Sequence, residues 1–301
     1  MKLTLRQLQV FLAVARSGST AAAGPLLALS QSAASAALKE LESSLGASLF
    51  ERTGGRLVLN DCGRSLLPRA QLLIDSAQSI ENGFTSLDGN LTYHLRIGAS
   101  TTIGNYVMPT LLADFRRTHP LGKVDTMIGN TEDVGLAVAA LEVDLGLIEG
   151  PCHDRQLRVT PWMSDELVVV CSPIHALAKG RGKRKVGVAQ LRDAEWLLRE
   201  PGSGTREAVD NALLPHLHHL ESSIQLGSAE AIKLAASKGL GLACLSRRVV
   251  HDFVAARRLV ILDCALPRII RRFSIIHHAQ RVHTPAVASF ARHCAAMAPS
   301  L

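Results

Sequence analysis

A glycine-rich turn with two hydroxyl side chains lies at residues 199–207, where the sequence reads REPGSGTRE. The turn follows an apolar, strand-like run at 196–198 and precedes a segment typical of a helix. At the start of a helix, backbone N–H groups point outward and the positive end of the helix dipole lies behind them. We therefore predict that the backbone amides of Ser203, Gly204 and Thr205 bind an anion.

A second turn of similar chemistry, ASTTIG, lies at residues 99–104. Ser100, Thr101 and Thr102 stand where a strand gives way to a helix, and doubly wound sheets bind ligands at such carboxyl ends of strands. We expect the two turns to face each other across a cleft. For each hydroxyl the alternative is an ordinary helix N-cap, because caps prefer the same residue types.

A third group of polar residues shares one face of a short helix. The sequence from Ser30 to Gly46 predicts a helix capped at both ends. Its buried stripe consists of Ala34, Leu38, Leu41 and Leu45. On the opposite face lie Gln31, Ser35 and Lys39, four residues apart. A helix in the DNA major groove comes close to the phosphates, so small residues permit the approach while a few polar groups reach base edges.

Motifs for catalysis, metals or nucleotide cofactors are incomplete in this sequence. REPGSGTRE is not a nucleophile elbow, KGRGKRK at 179–185 is not a P-loop, and GLGLAC at 239–244 lacks the third glycine of a dinucleotide fingerprint. Histidines cluster at 216–219 and 277–278 without a recognisable metal-ligand spacing. We therefore expect no catalytic residue, no metal and no cofactor, and the protein is not predicted to be an enzyme.

The composition is that of a globular protein with about two domains of ordinary size. The chain has 301 residues, of which 47% are hydrophobic and 20% charged, with a formal net charge of +7. The uncharged run at 97–113 is broken by two glycines and a proline, so no membrane span is predicted there. The N-terminus, MKLTLRQLQVF, carries charges where a signal peptide needs an apolar core, which predicts a cytoplasmic protein.

The first 59 residues predict three helices and a hairpin. Apolar residues recur at helical spacing from Leu5 to Ala15, Ser19 and Thr20 can cap a second helix, and the helix that starts at Ser30 is the third. LFERTGGRLVLN then alternates as two strands do, with two glycines at the turn. This order predicts a winged helix-turn-helix, a DNA-binding fold.

The blocks LRQLQVFLAVARSGS, AAA, LSQSAASAALKELE, LGASLFER and LNDCGRSLL follow one another in the order and spacing of a known family. With them the chain resembles the LysR-type transcriptional regulators. The resemblance implies that promoter DNA is contacted by the recognition helix and the wing, through Gln31, Ser32, Ser35, Lys39, Arg52 and Arg56. Ser32 departs from the proline usual in the family, and Gly24-Pro25 is unexpected inside the second helix.

A long helix is predicted from Asn60 to about Leu87. Apolar residues step by four and three along it over three heptads: Leu66, Ala70, Leu73, Ala77, Ile80, Phe84 and Leu87. This seam could rest on its own chain. The family resemblance implies instead a linker helix, residues 60–88, that pairs with a second copy, giving a homodimer and commonly a homotetramer.

Residues 89–301 alternate strands and helices twice over, which predicts a mostly parallel, doubly wound α/β domain with two lobes. The resemblance implies an effector-binding domain similar to periplasmic binding proteins. Lobe one is then expected at about 89–163 and 269–301, and lobe two at about 164–268. The resemblance also adds wall residues to the cleft, namely Asn130, Thr131, Glu149 and Ser228.

The predicted function is a regulator that binds promoter DNA and responds to a small anion, either a metabolite or an inorganic oxyanion. One alternative is a regulator of the same fold that senses redox chemistry through Cys152 or Cys171, although the six cysteines are far apart and are expected to be reduced. Another is a two-lobed solute binder or enzyme. The sequence leaves open the target genes, the operator, the identity of the effector, and whether the protein activates or represses transcription.

Overall fold

The computed structural model describes residues 3–85, 93–120, 122–179, 185–222 and 224–297. Two compact units are present: residues 1–91 with 280–288, and residues 92–279 with 289–301. In the described part of the chain, no single helix is long and apolar enough to cross a membrane, although the bent pair formed by helices 20–26 and 31–45 meets that test by length and composition.

The head of the first unit contains three helices and a two-stranded wing. They are α1 (Leu5–Ser17), α2 (Thr20–Leu26), α3 (Gln31–Leu45), β1 (Phe50–Thr53) and β2 (Arg56–Leu59). Ser19 and Ser30 accept hydrogen bonds from backbone amides in the first turns of α2 and α3. Gly18 and Gly46 end α1 and α3 in the left-handed conformation. The predicted fold class is confirmed here.

Gly24 is explained by the tight turn between α2 and α3. The two helices meet at 106°, within the range of helix-turn-helix motifs. A Cβ atom at Gly24 would lie 2.8 Å from the carbonyl oxygen of Leu29, so only glycine permits this approach. Pro25 falls in the last turn of α2, where the helix ends one residue later.

Helix α4 (Asp61–Thr85) follows the wing. The apolar residues predicted to form one seam along it have two different environments. Leu66 and Ala70 pack into the head core, so the prediction that they belong to a seam free for a partner is wrong. Leu73 and Ile80 are 51% and 64% exposed. The Phe84 side chain and Leu87 lie outside the described residues. The apolar face that remains uncovered within the subunit therefore begins at Leu73.

The second unit is built on one mixed sheet. Its helices are α5 (Thr101–Tyr106), α6 (Met108–Thr118), α7 (Thr131–Ala139), α8 (Val188–Arg192), α9 (Gly204–Leu217), α10 (Ala229–Ser237), α11 (Arg247–Ala255) and α12 (Pro285–Ala296), the last of which begins in the first unit. Its strands are β3 (Tyr93–Ser100), β4 (Gly122–Gly129), β5 (Leu145–Glu149), β6 (Leu157–Cys171), β7 (Trp196–Arg199), β8 (Ile224–Leu226), β9 (Leu242–Ser246), β10 (Val260–Ile261) and β11 (Ile269–His278).

Two long strands join the lobes. The sheet order is β4-β3-β5-β11-β6-β9-β7-β8, and β10 pairs with β6. Strands β3, β4 and β5 are parallel in lobe one, and β7, β8 and β9 are parallel in lobe two. Between them β6 and β11 run antiparallel from Leu157–His278 to Leu167–Ile269. Hydrogen bonding is therefore continuous from one lobe to the other.

We expect Ile80→Glu to separate copies of the chain without unfolding the head. Ile80 is exposed in the single subunit, and a carboxylate buried in a paired seam without a partner would raise the dimer dissociation constant by more than about tenfold. Analytical ultracentrifugation measures this. Ala70→Glu is the contrasting variant, because Ala70 is fully buried in the head core and its replacement should unfold the head. A dimer unaffected by Ile80→Glu would contradict the paired-helix prediction.

Candidate functional site

The predicted face of α3 is open to solvent. Gln31, Ser32, Ser35 and Lys39 are all exposed, while Ala34 and Leu38 on the other side are buried. The Ser32 hydroxyl lies 2.9 Å from that of the N-cap Ser30. Because a proline at position 32 would have no hydroxyl, serine adds a polar group to the first turn. The α3 residues that the sequence predicts to contact DNA therefore all lie on its solvent-exposed side.

Two arginines of the wing add positive charge. Arg52 and Arg56 are exposed, on β1 and β2 respectively, and neither forms an ion pair with another described residue. The amide of Leu57 donates to the carbonyl of Gly18 at 2.8 Å, which holds the wing against the end of α1. The wing thus presents two exposed guanidinium groups, which suit binding to phosphates.

Acidic residues nearest in sequence to this face are engaged elsewhere. Glu40 accepts from the Gln7 side chain at 3.2 Å, and Glu42 accepts from the Leu49 amide at 2.7 Å. Lys39 has no ion-pair partner in the described part of the chain. Its charge therefore stays available to a polyanion.

In the second unit, the carboxylate of Glu149 occupies the first turn of α5. Glu149 is 1% exposed. It accepts from the Thr102 amide at 2.6 Å and the Thr102 hydroxyl at 2.9 Å, and from the Ile103 amide at 3.4 Å. This corrects the prediction that the ASTTIG turn offers its amides to a ligand. The chain supplies its own anion to Thr102 and Ile103, for the reason that helix N-termini favour negative charge.

Arg271 on β11 forms ion pairs with that carboxylate and with a second one. Its Nη1 lies 2.7 Å from Glu149 Oε2, and its Nε lies 2.8 Å from Asp165 Oδ2 on β6. Nη1 also donates to the Thr205 hydroxyl at 2.8 Å. The Thr205 hydroxyl in turn donates to Glu149 at 3.0 Å. Sequence reasoning missed Arg271 and Asp165, since neither lies in a motif, and the pairing of β11 with both β5 and β6 is what brings them together.

Opposing effects act on the Glu149 carboxyl. Burial by itself raises its pKa, but Arg271 and the donors of Thr102 outweigh burial, so the pKa of Glu149 is lowered. The carboxyl is therefore ionised at neutral pH. We define this buried network as Glu149, Arg271, Asp165, Thr102 and Thr205.

The 199–207 turn packs directly against lobe one. A Cβ atom at Gly204 would lie 1.6 Å from the carbonyl oxygen of Glu149, and the Glu132 amide donates to the carbonyl of Gly202 at 3.1 Å. Ser203 caps α9 by accepting from the Arg206 amide at 3.4 Å, and its own amide donates to the Glu200 carbonyl at 3.3 Å. The prediction that the Ser203 amide is free for a ligand is therefore wrong, while the amides of Gly204 and Thr205 bond to no described group.

Arg199 joins the two predicted turns. Its guanidinium pairs with Glu200 through two bonds of 2.7 and 2.8 Å, and its Nη1 donates to the Thr101 hydroxyl at 3.0 Å. Ser100 is 2% exposed. Its hydroxyl has no hydrogen bond of acceptable geometry to a described residue, although it is close enough to Glu149 to help lower the pKa of that carboxyl. Ser100, Thr101 and Arg199 thus place polar atoms at the junction of the lobes.

The remaining predicted wall residues serve as caps or packing groups. Asn130 forms a capping box with Asp133 at the start of α7, and Ser228 caps α10 by accepting from the Ala231 amide. The Thr131 hydroxyl donates to the carbonyl of Glu149 at 3.0 Å. Of these three, Asn130 and Thr131 lie beside the 199–207 turn, next to Gly202 and Gly204 respectively.

A cavity of about 420 Å³ opens beside this contact between the lobes. Its lining includes Thr131, Gly202, Cys152 and the pair formed by His153 and Glu207, whose Nε2 and Oε1 atoms are 3.0 Å apart. Within the described residues, no group of three or more histidine, cysteine, aspartate or glutamate side chains is arranged to hold a metal ion.

The buried cysteines are poor candidates for redox sensing. Burial raises the pKa of the Cys171 thiol to about 11 and that of Cys244 to about 12. A thiol reacts with peroxide as the thiolate, which such values suppress at neutral pH. Cys152 is partly exposed at the cavity. The environment of Cys171 therefore does not favour the redox alternative.

We expect Arg271→Met to destabilise the second unit by about 3–5 kcal/mol at neutral pH, because it leaves the buried Glu149 carboxylate without a cation. Asp165 then keeps only the more distant Arg248, at 3.6 Å. In the parent, the lowered pKa of Glu149 gives stability that is present at neutral pH and is lost as the pH falls through that pKa. Without Arg271, burial favours the protonated form of Glu149, so the deficit should shrink on acidification. Urea unfolding between neutral and mildly acidic pH measures the free energy of unfolding of the parent and the variant.

Arg247→Met, at a partly exposed pair with Glu166, is the control and should lower the free energy of unfolding by less than about 1 kcal/mol. Equal losses in the two variants would refute the role assigned to Arg271.

Family models match both parts of the chain. The model of the bacterial regulatory helix-turn-helix protein, lysR family, matches residues 5–64, and that of the LysR substrate binding domain matches residues 88–299.

Relatives and solved structures agree with these models. The HTH-type transcriptional regulator YeiE of Escherichia coli (strain K12) is 47% identical over 294 residues, which are 98% of each chain. A full-length cysteine-to-aspartate variant of OxyR from Pseudomonas aeruginosa superposes with a TM-score of 0.82 at 22% identity, covering 98% of this chain and 95% of that chain. The regulatory domain of Synechocystis PCC6803 CcmR, in complex with 2-PG, is 30% identical with a TM-score of 0.63, covering 69% of this chain and 99% of that one. The chain therefore belongs to the LysR family of transcriptional regulators, with a helix-turn-helix and an effector-binding domain, and is not an enzyme.

Proposed function

We propose that the chain regulates transcription in the cytoplasm in response to a small anionic effector. In this proposal α3 and the wing bind promoter DNA through Gln31, Ser32, Ser35, Lys39, Arg52 and Arg56. The effector binds at the junction of the two lobes, where its differential affinity for two arrangements of the oligomer changes DNA binding. The chain acts as a homodimer and, with a second dimer, as a homotetramer.

The observation that carries the effector proposal is the set of polar groups that converge at the junction of the lobes. The buried Ser100 lies one residue from Thr101, whose hydroxyl accepts from Arg199 of the other lobe. The free amides of Gly204 and Thr205 at the start of α9 supply donors suited to an anion.

Two further facts support an anion of small size. Gly204 contacts the backbone of Glu149 directly, so little room separates the lobes at this point. The CcmR regulatory domain, 30% identical to this chain, was solved in complex with 2-PG. We propose a small carboxylate, a phosphate ester or an inorganic oxyanion, held by Ser100, Thr101, Ser203 and the two α9 amides, with Thr102, Glu149 and Thr205 fixing the site from behind.

Carboxylates at the neighbouring cavity limit where such an anion can sit. Glu132 lies beside Gly202, and Asp154 and Glu207 line the same cavity. Glu207 lies 3.0 Å from His153 Nε2, while Glu132 forms no ion pair with a described residue. The anion is therefore expected against Ser100 and Ser203 rather than in the cavity itself.

The proposal is tested first by recovering DNA bound to the full-length protein in the source cell. Enrichment of a few promoter regions that share a two-fold sequence would support it, and uniform recovery of genomic DNA would oppose it. The sequences recovered serve as operators in the measurements below.

We expect Ser100→Ala and Ser203→Ala each to weaken effector binding by about tenfold or more, because hydrogen bonds to a charged group contribute roughly 1.5–3 kcal/mol. Isothermal titration calorimetry of the full-length protein against 2-PG, inorganic phosphate and inorganic sulfate measures this. Ser237→Ala is the matched control, since that exposed hydroxyl bonds to Leu234 on α10. A preference for uncharged aromatic compounds, or tight binding by both variants, would show that the site or its chemistry is wrong.

We expect Gln31→Ala to weaken operator binding by about 1–3 kcal/mol per base contact and to leave nonspecific binding nearly unchanged. Lys39→Ala should weaken binding to all sequences and reduce the salt dependence, because a lysine at a phosphate releases counterions. Fluorescence anisotropy across a salt series with the operator and a scrambled duplex separates the two effects. Parental affinity in both variants would remove α3 as the recognition helix.

A further inference from the structure

A buried ion pair connects α4 with the segment that follows β11. Arg281 Nη2 lies 2.7 Å from Asp75 Oδ2, and the two side chains are 4% and 6% exposed. Residues 280–288 belong to the compact unit that contains the head, whereas β11 ends at His278 in the other unit. Arg281, three residues beyond the last strand of the effector-binding domain, is therefore held against α4.

The pair continues into the head through a second polar contact. Gln71 donates to the other oxygen of Asp75 at 2.8 Å, and Arg16 of α1 donates to Gln71 at 2.8 Å. Gln71 and Asp75 lie one turn apart, on the same side of α4, and both are buried. We call the series Arg16, Gln71, Asp75 and Arg281 the α4 relay.

Apolar packing already joins α4 to the head, through Ala70 and Ile74 in the core. Apolar contacts tolerate rotation and sliding better than directed polar bonds do. A buried ion pair adds little net stability over apolar residues of the same volume, but it can fix the register of the elements it joins. The α4 relay is thus suited to setting the rotation of α4 about its own axis.

That rotation decides where the exposed apolar face points. At 100° per residue, Leu73 lies about 160° around the helix from Asp75, and Ile80 about 140°. Both are exposed, so the relay and the face available to a second copy are on opposite sides of α4. Fixing one side of the helix orients the other.

We propose that Arg281 is a positioning residue for the DNA-binding heads. Through its buried ion pair with Asp75 it fixes the rotation of α4, and so sets how two heads are presented to the two halves of an operator. The inference rests on the proposed DNA binding by α3 and the wing. It adds that the chain leaving the last strand of the effector-binding domain controls the geometry of binding, without contacting DNA.

The test compares binding of the full-length protein to two duplexes, the recovered operator and the same operator with one half scrambled. In the parent, the ratio of the two affinities reports simultaneous engagement of both heads. We expect Arg281→Met to lower this ratio at least about tenfold and to leave affinity for the single half within about twofold, with Arg281→Lys between, since lysine keeps the charge but not the planar fork. Arg292→Met, at an exposed arginine of α12, is the control and should leave the ratio unchanged.

The double variant Asp75→Leu with Arg281→Met distinguishes positioning from folding. It removes both charges, so thermal unfolding of the head should return to the parental temperature even if Arg281→Met alone unfolds it. A ratio that stays low in this folded variant supports the proposal. A parental ratio in it, or in a folded Arg281→Met, would overturn the proposal. Loss of single-half binding in the parent would instead count against the proposed function of α3.

Discussion

One guanidinium, that of Arg271, holds the effector-binding domain together at the point where its lobes meet. It lies on β11 and bonds to carboxylates on β5 and β6, while Thr205 brings in α9 from lobe two. Two carboxylates and one guanidinium leave the group with a net negative charge, which the amides of Thr102 and Ile103 at the start of α5 offset. Removing Arg271 leaves the buried Glu149 carboxylate without a cation. The network therefore constrains both lobes and the first turn of α5 at once.

This constraint changes what the hydroxyl-rich turns can do. Thr102 and Thr205 bond to Glu149, so they determine the shape of the junction without reaching a ligand. Ser100 precedes α5 and Thr101 is its first residue, and Thr101 bonds to Arg199 rather than to Glu149. A ligand at this junction would meet donors from α9 and from Arg199. The Glu149 carboxylate offsets the positive end of α5, which would otherwise attract an anion more strongly.

The sequence predicts the elements of the head well, because the signals involved are local. Caps at Ser19 and Ser30, the glycine stops and the Gly54-Gly55 turn depend on neighbours a few residues away, and each is observed. The role of Arg271 depends on contacts more than 100 residues apart in the chain. Serines and threonines at helix starts have the same local pattern whether they cap or bind. For that reason sequence reasoning grouped Thr102 and Ser228 with Ser100, although their contacts differ.

Several arginines of the effector-binding domain differ from the basic residues of α3 and the wing in their ion pairing. In the effector-binding domain, Arg96, Arg199, Arg206 and Arg271 each lie against a carboxylate, so their charges are largely cancelled at short range. On the head, Lys39, Arg52 and Arg56 form no ion pair in the described part of the chain. The electrostatic field that acts on a distant polyanion comes mainly from unpaired charges, because a paired charge is seen from afar as a dipole. The unpaired charges of Lys39, Arg52 and Arg56 therefore contribute to the long-range attraction of a polyanion toward α3 and the wing. Arg199 and Arg271, by contrast, act at the junction of the lobes mainly through local hydrogen bonds.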